Sequence, residues 1–476
     1  IYAKEVGDRR MGRWGKLLDK IKMFRNKRFN DMMEWWTWDR YKRIKKDMEW
    51  WTWERYQRTE EKMKCLKKQL EDINEDILNL TMDKNLIRYN KGEKIRIVIL
   101  FQIPSCWASL ESVWRELEKD ERFEAKMLLY DREQKEPIQM AGARELLEKL
   151  NITYIEAEYY DFTKYKPHII LYQTPWDERH RPSFLWADQM KKAGIRVAYL
   201  PYGIEYSASV DLNYIFSNNQ FKTCPWRSYV LSENMKVEHR MKSPYGASYL
   251  VATGLPKFDS LYYKSNFLLE DYIQKEVKNR KIILWQMHFP AFDGNKDFPE
   301  PNILVYLEFA NKMKEYKELF FLVRPHPKFF EMYKTKGYKE EVKELKEIIE
   351  NTENAYCYLE PDYRNALMNA DYMIGDRSAL MIEAIVLNIP VLYMTNFYYK
   401  EKILSAVEPI FESYYQGSVC YDIELFIDMV IKKGIDYKKQ DRERAKDLCI
   451  PFFDGKCGLR IVNDLAYSIY AELEEK

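Results

Sequence analysis

The chain has 476 residues, 46% of them hydrophobic, and a formal net charge of +2; single cores stop growing near roughly 250–300 residues, so two or more domains are expected. A charge so close to zero gives no global reason to bind nucleic acid. Seven cysteines, Cys65, Cys106, Cys224, Cys357, Cys420, Cys449 and Cys457, are scattered without a paired framework or metal-ligand spacing, as a reducing compartment permits.

Residues 1–90 read as a helical arm. Met33-Glu34-Trp35-Trp36-Thr37-Trp38-Asp39-Arg40-Tyr41 returns as Met48-Glu49-Trp50-Trp51-Thr52-Trp53-Glu54-Arg55-Tyr56, and 17 Lys and Arg stand against 9 Asp and Glu between Ile1 and Arg58. Tryptophan with cations on one element suits an anionic membrane surface, with indoles at headgroup level; the same side chains could instead pack against other helices or a partner subunit. Next, Met63, Leu66, Leu70, Ile73, Ile77 and Leu80 alternate by three and four. That is a short heptad seam able to pair helices in a homo-oligomer.

From Lys94 the pattern becomes strand and helix in alternation. Strands are expected over Ile95–Phe101, Ala125–Tyr130, Ile169–Tyr172 and Val197–Leu200, with helices over Ala108–Leu117 and Ala141–Leu150. This is the pattern of a doubly wound parallel sheet, placed at 94–265. A polar linker, Tyr263 to Arg280, leads to a second domain over 280–455, with strands at Ile282–Trp285, Phe320–Val323, Tyr356–Leu359, Tyr372–Ile374 and Val391–Tyr393. A last helix, within 456–476, closes the chain. No apolar run approaches the ~18–20 residues of a membrane span, so the expected location is the cytoplasm, peripheral on the inner face of the membrane.

Two stretches of the second domain follow apolar runs: Arg324-Pro325-His326-Pro327, and Gly375-Asp376-Arg377-Ser378-Ala379 with Glu383 beyond. Ligands of open α/β sheets collect at such strand ends. Ser378 and Ala379 would open a helix, whose free N–H groups favour a diphosphate. Glu383 is spaced to accept from a ribose diol, and Arg324 and His326 to reach the phosphates. The plainer readings are a structural histidine and a simple N-cap.

These elements resemble those of the CDP-glycerol glycerophosphotransferase family, the teichoic acid primases and polymerases. Arg324–Pro327 is similar to its Arg-x-His-Pro element, and Asp376–Ala379 with Glu383 to its Asp-Tyr-Ser-Ser element and the acidic residue after it. Gly254-Leu255-Pro256-Lys257-Phe258-Asp259 resembles its Gly-x-Pro-Arg-x-Asp segment, and Asp454-Gly455-Lys456-Cys457 with Arg460 its late Asp-Gly-x-Ala segment. The chain departs from the family in three ways. Tyr202-Gly203 stands where the family has His-Gly; Arg377 and Ala379 replace its Tyr and second Ser; and Gln286-Met287-His288 replaces a loop with Thr and Arg, where His288 could restore the positive charge only if protonated.

The resemblance implies a GT-B fold, two facing Rossmann-like α/β domains, with the last helix crossing back to the first. It implies transfer of an alditol phosphate, glycerol phosphate first, from a CDP-linked donor to a hydroxyl of a lipid-linked or polymeric acceptor, with release of CMP. His288, Arg324, Asp376, Arg377, Ser378, Ala379, Glu383 and Arg460 would hold the donor, and His326 would act on the leaving phosphate. Glu205, Asp177 and His180 are the candidates for receiving the acceptor's proton, while Tyr202 and Gly203 shape its side. No fixed metal site or bound cofactor is expected; Mg2+ would arrive on the donor diphosphate. The alternatives are a GT-B nucleotide-sugar glycosyltransferase or epimerase, and a non-catalytic scaffold at the membrane.

Overall fold

The computed structural model describes residues 42, 45–46, 55–66, 68–70, 73, 87–131, 141–207, 220–243, 246–263, 267–289, 303–395 and 402–474. It divides into two compact units, Ile1–Asp72 and Ile73–Lys476. In the first, residues 55–66 and 68–70 are helical, and Met63, Leu66 and Leu70 of the expected seam are exposed. The first tryptophan repeat, most of the second, and seam positions Ile77 and Leu80 lie outside the described residues.

The second unit is built on two parallel sheets. Strands β1 (Ile95–Phe101), β2 (Phe123–Leu129), β3 (Tyr154–Glu156), β4 (Ile169–Tyr172), β5 (Arg196–Tyr199), β6 (Pro225–Val230) and β7 (Leu250–Ala252) lie in the order β3-β2-β1-β4-β5-β6-β7. Strands β8 (Lys281–Met287), β9 (Leu319–Pro325), β10 (Ala355–Cys357), β11 (Tyr372–Gly375), β12 (Val391–Met394) and β13 (Tyr415–Gly417) follow as β10-β9-β8-β11-β12-β13. Each order reverses direction once, between β1 and β4 and between β8 and β11. A crevice opens at such switch points, beyond the carboxyl ends of the strands. The central strands read as unbroken apolar runs because helices cover both faces: alternate residues of β1 enter two different cores, and those of β8 two others.

Seven helices bear on the site or its support: α1 (Glu111–Lys119), α2 (Glu233–Lys242), α3 (Lys257–Tyr262), α4 (Asp271–Val277), α5 (Ile303–Met313), α6 (Leu380–Val386) and α7 (Cys457–Glu474). The stretch expected to be only a polar linker contains α4, whose Ile273 and Val277 are buried in a core shared by both lobes. Helix α7 packs Ile461, Val462, Leu465, Ala466 and Ile469 against Val113, Trp114 and Leu117 of α1, beside β1. The last helix of the chain thus completes the first lobe.

The two late sequence segments meet where α7 starts. Asp259 accepts hydrogen bonds from the Cys457 and Gly458 N–H groups, at 2.9 and 2.8 Å, which satisfies donors that a helix start leaves open. Gly254, with φ of +76°, passes so close that a Cβ there would lie 2.6 Å from Cys457 Sγ. At Gly458 a Cβ would lie 2.6 Å from the backbone of Ser112. Both positions need glycine for close approach.

The lobes are also joined along the segment leaving β5. Leu404 N–H donates to Tyr206 O at 2.7 Å, Ser207 bridges Ile403, and Ile204 shares a core with Leu404, Val407 and Phe411.

Candidate active site

Strands β8, β9 and β11 are neighbours, so the residues following them converge: His288 and Phe289, then His326, then Asp376 and Arg377. Arg377 Nη2 lies 2.5 Å from His288 Nδ1 and donates to Phe289 O at 3.1 Å, with its guanidinium over the Phe289 ring. The His288 and His326 rings are 4.8 Å apart, and Phe289 packs against both. His326 Nδ1 accepts from the Lys328 N–H at 3.1 Å, so a neutral His326 carries its proton on Nε2.

These imidazoles are uncharged at neutral pH. Burial, reinforced by Lys328, Arg377 and Arg324, pushes His326 down to about 3. Burial and Arg377 hold His288 well below the ordinary histidine range. An arginine only donates, so His288 must accept through Nδ1. His288 therefore does not restore a lost positive charge; it aims Arg377, which is itself the cation. Asp376 is corrected as well. It is fully buried, accepts from the Tyr306 hydroxyl, and burial raises it to about 7 against the opposing influence of Tyr306 and Arg377. Its side chain is held behind the strand ends by Tyr306.

Ser378 turns its hydroxyl inward, accepting from the Leu380 N–H at 3.2 Å, and Ala379 follows in helical conformation as the cap of α6. Arg324 leaves β9 beside His326, but its Nη1 donates to Glu360 O at 2.7 Å and its guanidinium lies over Tyr358 and Tyr363. Glu383 is 1% exposed. Lys257 and Tyr363 donate to its two oxygens at 2.7 and 2.6 Å, so both are engaged by the protein's own side chains. Arg460 is bound to Asp454 and lies over Phe452, where it supports the start of α7 instead of the strand-end cluster.

On the first lobe, amides knit three loops together. Gln102 donates to His180 O at 2.7 Å, Gln173 to Cys106 O at 2.8 Å, and Tyr202 N–H to Gln173 O at 3.3 Å. Tyr202 is exposed and Gly203 follows it. Asp177 pairs with the buried Arg181 at 3.2 Å and accepts from the Ala187 N–H at 3.1 Å. His180 is 4% exposed and pushed down to about 3, by burial first, then by Arg181, Arg179 and Lys328. Glu205 faces His239 at 3.3 Å.

Sequence reasoning missed Phe289, Tyr306, Lys328 and His239. Lys328 directly follows Arg324–Pro327 and could have been found there; Tyr306 and His239 carry no local signal, because α5 and α2 bring them in from a distance.

The model of the CDP-glycerol:poly(glycerophosphate) glycerophosphotransferase family matches residues 206–467. No curated protein matches the sequence. Among solved structures, S. aureus MnaA in a co-structure with UDP is similar over 79% of this chain and 97% of its own, at 14% identity and TM-score 0.56. The UDP-GlcNAc 2-epimerase of Neisseria meningitidis bound to UDP-GlcNAc is similar over 78% and 100%, at 14% and 0.54. A histidine-to-alanine variant of the wall teichoic acid polymerase TagF is similar over 85% and 95%, at 11% and 0.53. At such identities the likeness shows the fold, which is GT-B, and the family model, matching more than half of the chain, shows the rest: the chain belongs to the CDP-glycerol:poly(glycerophosphate) glycerophosphotransferase family of enzymes.

Proposed function

We propose that the chain transfers glycerol phosphate from CDP-glycerol to a hydroxyl of a lipid-linked or polymeric acceptor in the synthesis of a teichoic acid-like or capsular surface polymer, releasing CMP. The observation that carries this reading is the group at the ends of β8, β9 and β11: one arginine held by His288 and Phe289, with the His326 ring beside it. Phosphoryl transfer depends chiefly on positioning and charge stabilisation, which a rigidly aimed guanidinium supplies. A TagF variant soaked with CDPG shares the fold.

In this reading Arg377 takes the charge that grows on the phosphates as the acceptor oxygen attacks the β-phosphorus. His326 donates a hydrogen bond from Nε2 to the departing CMP. Already neutral, it serves as a fixed donor and not as an imidazolium acid. The Ser378 and Ala379 backbone lies next to the same phosphates, and Arg324 on the outer side of His326.

Purified protein supplied with CDP-glycerol, CDP-ribitol and UDP-sugars, together with a glycerol phosphate acceptor, tests this. CMP released from CDP-glycerol is expected; release of UMP alone would falsify the reading in favour of sugar chemistry.

A further inference from the structure

The acceptor hydroxyl must give up a proton, and the first lobe offers Asp177, His180 and Glu205 to take it. Asp177 is engaged by Arg181 and by the Ala187 N–H. His180 is almost wholly buried, with Arg179, Arg181 and Lys328 around it. Glu205 differs from both. It follows Tyr202 in the loop leaving the carboxyl end of β5, retains 20% exposure, and has a second titratable group behind it: His239 of α2, 4% exposed, with Nε2 3.3 Å from Glu205 Oε2. Among the described residues both ring nitrogens of His239 are buried without a well-aligned hydrogen bond. Leaving them so is costly, and the acceptor nearest to Nε2 is the Glu205 carboxylate. Hydrogen bonds of catalytic groups are often long before substrate binds.

We propose that Glu205 receives the acceptor's proton and that His239 is its positioning residue. The inference rests on the transfer reading above. In the step, the acceptor oxygen forms a bond to the β-phosphorus, the bridging P–O bond breaks and leaves with CMP, and the hydroxyl proton passes to the Glu205 carboxylate. His239 keeps one oxygen of that carboxylate fixed, leaving the other for the hydroxyl.

Among the described residues, the groups that act on Glu205 are His239 from α2, Tyr199 from β5, Tyr202 from its own loop, and Lys222 from Gln220–Thr223. Lys222 is buried and pushed down to about 7, mainly by that burial, with Glu205 opposing. It titrates in the working range, so Lys222→Met belongs in the test.

The experiment measures CMP release from CDP-glycerol against pH, with kcat and donor KM separated, for the full chain and for Glu205→Gln, His239→Leu, His239→Gln, Lys222→Met and the double variant Glu205→Gln/His239→Leu. Removing the base lowers kcat by about 100-fold or more with donor KM within about threefold. His239→Leu lowers kcat roughly tenfold with donor KM within about threefold, because the carboxylate loses the neighbour that positions it. A glutamine amide reaches the Nε2 position, so His239→Gln restores kcat to within about threefold of the parent chain. The double variant is no slower than Glu205→Gln alone, and the acid limb survives Lys222→Met.

Should His239→Leu not fold, His239→Asn, whose amide stops short at the Nδ1 position, takes its place. A parent chain that releases no CMP overturns the transfer reading and this inference with it. With the parent active, an unimpaired Glu205→Gln overturns the base. An unimpaired His239→Leu, a His239→Gln no faster than His239→Leu, or a further loss on top of Glu205→Gln overturns the role of His239, and an acid limb abolished by Lys222→Met overturns the base.

Discussion

Arg377 is the residue whose environment most constrains the chemistry. Its Nη2 is fixed by His288 Nδ1 and Phe289 O, and the guanidinium lies over an aromatic ring. A lysine has neither the fork nor the planar stacking surface. Arg377→Lys is expected to raise the donor Kd by about tenfold, a loss of roughly 1.4 kcal/mol, read by calorimetry with CDP; unchanged affinity would remove the cation from the phosphates. His326 is neutral down to about 3, so its Nε2–H, not its charge, is what it offers. His326→Gln should accordingly keep about tenfold more kcat than His326→Ala, and neither should add or remove a limb in the pH profile between pH 5 and 8. At this scale the sequence is informative where function sits on a strand end. Arg324, His326 and Arg377 are placed by the apolar runs before them, whereas the partners that decide what each side chain can do come from elsewhere. Glu383 shows the difference: its spacing along α6 suits a ribose, but Lys257, brought by α3, occupies it.

At the level of elements, β1 and β4 run over the residues expected from their apolar runs, because both faces of a central strand are buried. Strands β3, β7 and β13 have three residues each, and β6 opens with a proline, so none stands out from the sequence. The segment containing Asp259 and the segment at the start of α7 illustrate what linear reading leaves out. They look like separate motifs, yet they are two sides of one helix cap. Asp259→Ala removes both bonds and is expected to cost about 1–2 kcal/mol of stability, read as a lower urea midpoint. A midpoint equal to that of the parent chain would mean that α7 is held by its apolar face alone.

Across the whole molecule, two doubly wound sheets share a core and a buried ion pair between Lys257 and Glu383. Histidines are held neutral inside this body: burial pushes His168 to about 4 and His180 to about 3. Unfolded histidine titrates near 6.5, so the stability these groups contribute is complete above about pH 6.5 and is lost as pH falls toward 4. Unfolding free energy should fall by about 2 kcal/mol per such histidine between pH 7 and 5; a flat profile over that range would contradict their buried, neutral state. Among the described residues no helix is long and apolar enough to cross a membrane. We propose that the basic, tryptophan-rich stretch from Ile1 to Arg58 contacts an anionic lipid surface. Its deletion is expected to abolish sedimentation with anionic liposomes while leaving CDP affinity within about twofold; retained sedimentation would place membrane contact elsewhere.

The most direct test is a crystal structure with CDP-glycerol bound. The account predicts the diphosphate against the Arg377 guanidinium and the His326 Nε2–H, beside the Ser378–Ala379 backbone, with the β-phosphorus open toward Glu205. A diphosphate seated elsewhere, or Arg377 still turned only to His288 and Phe289 with no phosphate oxygen in reach, would contradict it.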